Sequence, residues 1–156
     1  MQKHALVLRR ELNVPASFIW RGYTEPELLK KWFCPLPWRT VDCRMDLQPG
    51  GEFYTLMQGP AGESMPASGC YLQIESGKKL VWTSALAAGF APQPSNFDAL
   101  GFHFTAIIEL TPTATGCVYQ ATVLHANEAS KQKHADMGFN DGWNAALEQL
   151  IALYQA

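Results

Sequence analysis

From about Asn127 to Tyr154 the apolar residues recur at helical spacing. At roughly 100° per residue, Phe139, Trp143, Ala146, Leu147, Leu150, Leu153 and Tyr154 fall on one stripe. A long helix with a single apolar stripe gains most of its stability from the surface it packs against, so the rest of the chain must supply that surface. Asn127 suits the N-cap and Glu128 complements the positive end of the helix dipole. Gly138 and Gly142 are each about 1 kcal/mol less favourable than Ala inside a helix, so a bend or a close backbone approach is expected there.

The covering surface reads as a meander of strands. Turn signals stand at Pro49-Gly50-Gly51, Gly59-Pro60-Ala61-Gly62, Ser76-Gly77 and Thr113-Ala114-Thr115-Gly116. Between them lie expected strands near 40–47, 51–58, 66–75, 79–85, 101–111 and 117–125. Alternation puts Phe53, Thr55 and Met57 on one face, then Phe102, Phe104, Ala106, Ile108 and Leu110, then Cys117, Tyr119, Ala121, Val123 and His125. Residues 5–13, where Arg10 interrupts the apolar side, add a half-buried strand near a sheet edge and bring the count to seven. Pro15 ends it. PASFIWRGY and TEPELLKKWF then read as two short helices, the second with Thr24 as cap, Pro26 in its first turn, and Leu28, Leu29, Trp32 and Phe33 on one face. Residues 86–100 lack periodicity and are expected to form a long loop, with Phe90 and Phe97 as a lid.

At 156 residues one domain spanning 1–156 is expected, and 47% hydrophobic with 17% charged residues supports a packed core rather than disorder. Strands followed by a helix, without βαβ alternation, make the class α+β. The net charge of −2 leaves no basic footprint for nucleic acid. No apolar run is long enough to insert into a membrane, and no signal-peptide core opens the chain, so a cytoplasmic protein is expected. Cys34, Cys43, Cys70 and Cys117 form no C-x-x-C pair and read as reduced thiols; His4, His103, His125 and His134 lack helical metal-ligand spacing. Neither a metal nor a cofactor is expected.

Four blocks, VPASFIWRGYTEPELLKKWF, MDLQPGGEFYTLMQGPAGE, GCYLQIESGKKLVWT and MGFNDGWNAALEQLIALY, together resemble the activator of ninety-kilodalton heat-shock protein ATPase homologue family, within the START-like or SRPBCC superfamily. The resemblance implies a helix-grip fold of the birch-pollen-allergen type: a bent antiparallel sheet and two short helices closing around the long C-terminal helix, with a cavity between. It also implies relatives that bind lipids, hormones or polyketides, some of which catalyse cyclisation or hydrolysis. Eukaryotic relatives carry the domain within a chaperone activator whose additional N-terminal domain has no room here. Where many members have an aromatic or histidine two residues beyond the strand aromatic, this chain has Ser84 after Trp82.

Parity and family position direct Phe53, Met57, Tyr71, Trp82, Phe102, Phe104 and Trp143 inward. Regular apolar spacing is also what any core needs, but a bent sheet around a helix often leaves its centre unfilled, and ligand pockets are apolar with a few polar groups. Tyr71 is then the natural orienting hydroxyl, and His125, on the parity of Tyr119 and Val123, a second polar contact. His103 has the opposite parity and is expected to face solvent, as is His134 near the start of the helix. Scattered carboxylates and the absence of G-x-S-x-G, P-loop or G-x-G-x-x-G patterns give no enzyme signature. The expected function is binding of a small hydrophobic ligand. A cyclase- or hydrolase-like enzyme using His125 or Tyr71 and a chaperone-interacting module are the alternatives, and a homodimer is the default assembly.

Overall fold

The computed structural model describes residues 3–94 and 101–155. Its element order is β1 (Ala5–Leu12), α1 (Ala16–Thr24), α2 (Pro26–Leu29), β2 (Arg39–Met45), β3 (Glu52–Gln58), β4 (Ser64–Glu75), β5 (Lys79–Thr83), the short pair β6 (Leu86–Ala87) and β7 (Ala91–Pro92), β8 (Phe104–Pro112), β9 (Cys117–His125), α3 (Glu128–Asp136) and α4 (Phe139–Gln155). Seven strands form one antiparallel sheet in the order β1-β9-β8-β5-β4-β3-β2. This is the helix-grip arrangement, with β1 and β2 as edges and the two short helices bridging between them.

The strand alternation survives in burial. Phe53 and Thr55 on β3, Ala106, Ile108 and Leu110 on β8, and Cys117, Tyr119, Ala121, Val123 and His125 on β9 are all buried on the sheet's inner face. Facing them, α1 buries Ala16, Ile19, Gly22 and Tyr23, while α4 buries Phe139, Ala146, Leu147 and Leu150. Arg10 turns out to belong with α4: its guanidinium donates to Asn144 Oδ1 and Glu148 Oε1, both at 2.8 Å. Gln149 ties α4 to the segment after α2, donating to the Trp32 and Cys34 carbonyls and accepting from the Leu36 amide.

Several local expectations change. The helix from Asn127 is two helices, because Gly138 adopts φ +88° and breaks the run. Asn127 does cap α3, accepting from the Ser130 amide at 2.8 Å. Thr24 caps nothing; its hydroxyl donates back to the Trp20 carbonyl, and Glu25 holds the cap position of α2. Residues 86–92 form the β6–β7 hairpin rather than open loop, secured by Gln93, whose side-chain amide donates to the Ser68 and Ser84 carbonyls. Phe90 is exposed over Gly50, and Phe97 lies outside the described residues. Tyr154 is exposed as well, its ring tilted against Phe18 at a centroid distance of 5.0 Å. His134 is buried instead of solvent-facing. All four cysteines are free and buried. No helix among the described residues is long and apolar enough to cross a membrane.

Candidate functional site

The grip on α4 is tight at one end and slack at the other. Towards the C-terminal end α4 sits so close to α1 that a Cβ built on Gly22 would lie 2.7 Å from Leu150 Cδ1. One to two turns earlier α4 presents Gly142 and Ala146 to the sheet, and a Cβ on Gly142 would meet only Pro35 Cγ, at 3.9 Å. Small residues on the helix opposite a curved sheet leave a cavity of about 390 Å³ between them.

Its walls come from α1, the segment after α2, five strands of the sheet and both C-terminal helices. Tyr23 of α1 and the Trp32–Pro35 segment line one side; Phe53, Thr55 and Met57 of β3, residues 65–69 of β4, Trp82, Ser84, Phe104 of β8 and Tyr119 of β9 form the sheet side; His134, Met137, Phe139, Trp143 and Ala146 close the helical side. The first half of β4 runs past the end of β5, which pairs only with residues 70–75, so the overhang forms one rim. Met137, largely exposed, also lines the cavity.

The aromatic packing is continuous. Phe53 meets Phe33, Tyr71 and Trp82 at centroid distances of 5.7, 5.2 and 5.3 Å, and Tyr23 stands 4.9 Å from Trp32 and 6.1 Å from Trp82. Edge-to-face and offset contacts of this kind hold the walls in place without filling the space between them.

Polar groups are few. The Tyr23 and Tyr119 hydroxyls bond each other at 2.8 Å, and burial pushes both phenols above their ordinary range. Ser84 is engaged with the strand: its hydroxyl accepts from the Phe104 amide at 3.1 Å and donates to His103 Nδ1 at 3.2 Å, the proton on His103 Nε2 being directed at the Pro94 carbonyl at 2.8 Å. His103 is thus a half-buried strut rather than a surface residue. Burial, and secondarily the neighbouring His125, lowers the His134 imidazole to about 4, so it is neutral at pH 7. Among the described residues no carboxylate lines the cavity. Among the described residues no cluster of His, Cys, Asp or Glu is arranged to hold a metal ion.

Of the residues singled out in the sequence, Phe53, Met57, Trp82, Phe104 and Trp143 line this cavity together. Tyr71, Phe102 and His125 do not. Tyr71 is fully buried behind Phe53, its hydroxyl without a hydrogen-bond partner, and burial raises its phenol far above the usual value. Phe102 and His125 stand behind His134, at ring-centroid distances of 5.2 and 5.1 Å. Strand parity reports the side of the sheet and not the depth, which is why Tyr71 and His125 separate from the wall; Phe102 precedes β8, which starts at Phe104 and not at 101, so it has no strand parity. Tyr23, Trp32, Phe33, Tyr119 and His134 were not among the residues singled out. Tyr119 shares the parity of His125, and Trp32 and Phe33 belong to one apolar helical face, so their signal was present in the pattern; His134 had none.

A family model described as Activator of Hsp90 ATPase homolog 1-like protein matches residues 13–155. A solved structure from Nitrosomonas europaea is 46% identical, covers 99% of this chain and 97% of its own, and superposes with a TM-score of 0.91. A protein of Rhodobacter sphaeroides is 18% identical over 99% and 95% of the two chains, TM-score 0.85. The AHSA1-like protein of Aeromonas hydrophila is 16% identical over 95% and 90%, TM-score 0.69. The last two likenesses concern the fold alone. No curated protein sequence matches the chain.

Proposed function

Because this chain belongs to the Activator of Hsp90 ATPase homolog 1-like family, we propose that it is a binding protein whose helix-grip cavity holds a small, mainly apolar molecule. The observation that carries this reading is the cavity of about 390 Å³, walled by aromatic and methionine side chains where α4 is slack. Spaces of this size and lining suit small ligands. The contacts proposed are Phe53, Met57, Trp82, Phe104 and Trp143, with Tyr23, Trp32, Phe33, Tyr119 and His134 added from the geometry. Met57, Met65 and Met137 give the wall unbranched, polarisable side chains that adapt to the occupant.

Binding is favoured over catalysis because no described residue of the wall is a carboxylate, and because Tyr71 and His125, the two groups singled out for an acid–base mechanism, stand behind it. Native mass spectrometry of protein purified without organic solvent tests the reading. The expected spectrum contains the chain with a small-molecule adduct that solvent extraction removes. A bare chain that also takes up no member of a panel of apolar probes contradicts it.

A further inference from the structure

The two buried histidines at the α3 end of the cavity fix each other's protons. His125 Nδ1 lies 2.9 Å from the His4 carbonyl, and His125 Nε2 lies 2.9 Å from His134 Nδ1. A carbonyl can only accept, so His125 Nδ1 carries a proton. Both rings are buried beside the Phe102 ring, and His125 has no carboxylate among its hydrogen bonds to offset the cost of burying an imidazolium. With His125 neutral its Nε2 is a bare acceptor, and His134 Nδ1 must be the donor to it. His134 Nε2 is then unprotonated. That nitrogen has no partner among the described residues, and it is not sealed in protein, since the one enclosed and unpartnered side-chain oxygen or nitrogen there is Tyr71 Oη. His134 lines the cavity, between Phe104 and Phe139, which line it too.

We propose that the His125–His134 pair aims a hydrogen-bond acceptor, His134 Nε2, into the cavity, and that the ligand is an apolar molecule bearing a hydroxyl or N–H donor. This deepens the cavity-binding reading and rests on it. His125 is a positioning residue: it touches no ligand and acts by dictating which His134 nitrogen keeps its proton. A ligand offering only acceptors there would leave two lone pairs facing each other in a dry site, whereas a donor satisfies His134 as it is desolvated.

The matched probes are 1-naphthol and 1-methylnaphthalene, similar in size and differing in the donor, titrated into the wild type and into His134→Phe with binding read from amide chemical shifts. Wild type should bind 1-naphthol at least about tenfold more tightly, and the preference should fall to near unity in His134→Phe. Equal binding of both probes by the wild type, or a preference that survives in the variant, overturns the acceptor while leaving the cavity reading intact. Binding of neither probe by the wild type overturns both. A measurement on the wild type alone guards against a misfolded variant. Long-range proton–nitrogen correlation spectra at pH 7 should show Nδ1 protonated and Nε2 bare in both rings, and a protonated His134 Nε2 overturns the proposal.

Discussion

The Tyr23 and Tyr119 hydroxyls share one hydrogen bond at 2.8 Å, with both rings almost completely buried. Removing either oxygen leaves the other facing an apolar surround, so Tyr23→Phe and Tyr119→Phe should each lower stability by about 1–2 kcal/mol, and the double variant by less than the sum, as read from urea denaturation. His134 makes a pH prediction. Its native imidazole titrates at about 4 against an ordinary 6.5, so below pH 6.5 the unfolded chain binds the proton that the native state refuses. Its contribution to stability is complete above pH 6.5 and is lost as the pH falls towards 4, by up to about 3 kcal/mol. Denaturation midpoints measured across that window should decline in the wild type and flatten in His134→Phe. Nothing in the sequence pointed to this residue. On one continuous helix, His134 would lie roughly 220° from Leu147, on the polar side; it turns inward only because the helix breaks after it.

That break is a property of the element. Gly138 sits at φ +88° between α3 and α4, and a Cβ there would meet nothing within 4 Å. Gly138→Ala should therefore cost about 1–2 kcal/mol through backbone conformation alone, with little effect on packing, and a thermal melt should show it. The glycine was readable as a place where the helix yields, but its handedness was not, because a sequence gives propensity without the packing that selects a left-handed residue. Strands were more legible. Period-two alternation located β3, β8 and β9 within a few residues, since each has one face on the core and one on solvent. The site was legible only by side: β3 parity brought Phe53 and Met57 to the cavity, while the β4 register shift between Tyr71 and Gln73 and the stacked Phe53 ring leave Tyr71 in a second layer.

At the scale of the whole molecule, function follows from uneven packing between one helix and one sheet. Leu150 fills the space against Gly22 of α1, whereas Gly142 and Ala146 line the open space that β3 and β4 also line. Any occupant bound only by the folded state must raise the melting temperature with its concentration. The most direct measurement fills the space from within. Ala146 is buried on the cavity wall, so Ala146→Trp directs an indole into it. Titration of 1-naphthol, with circular dichroism confirming that the variant is folded, should show saturable one-to-one binding to the wild type and none to Ala146→Trp. Absence of saturable binding by the wild type, or binding that persists undiminished in the folded variant, would contradict a ligand held between α4 and the sheet.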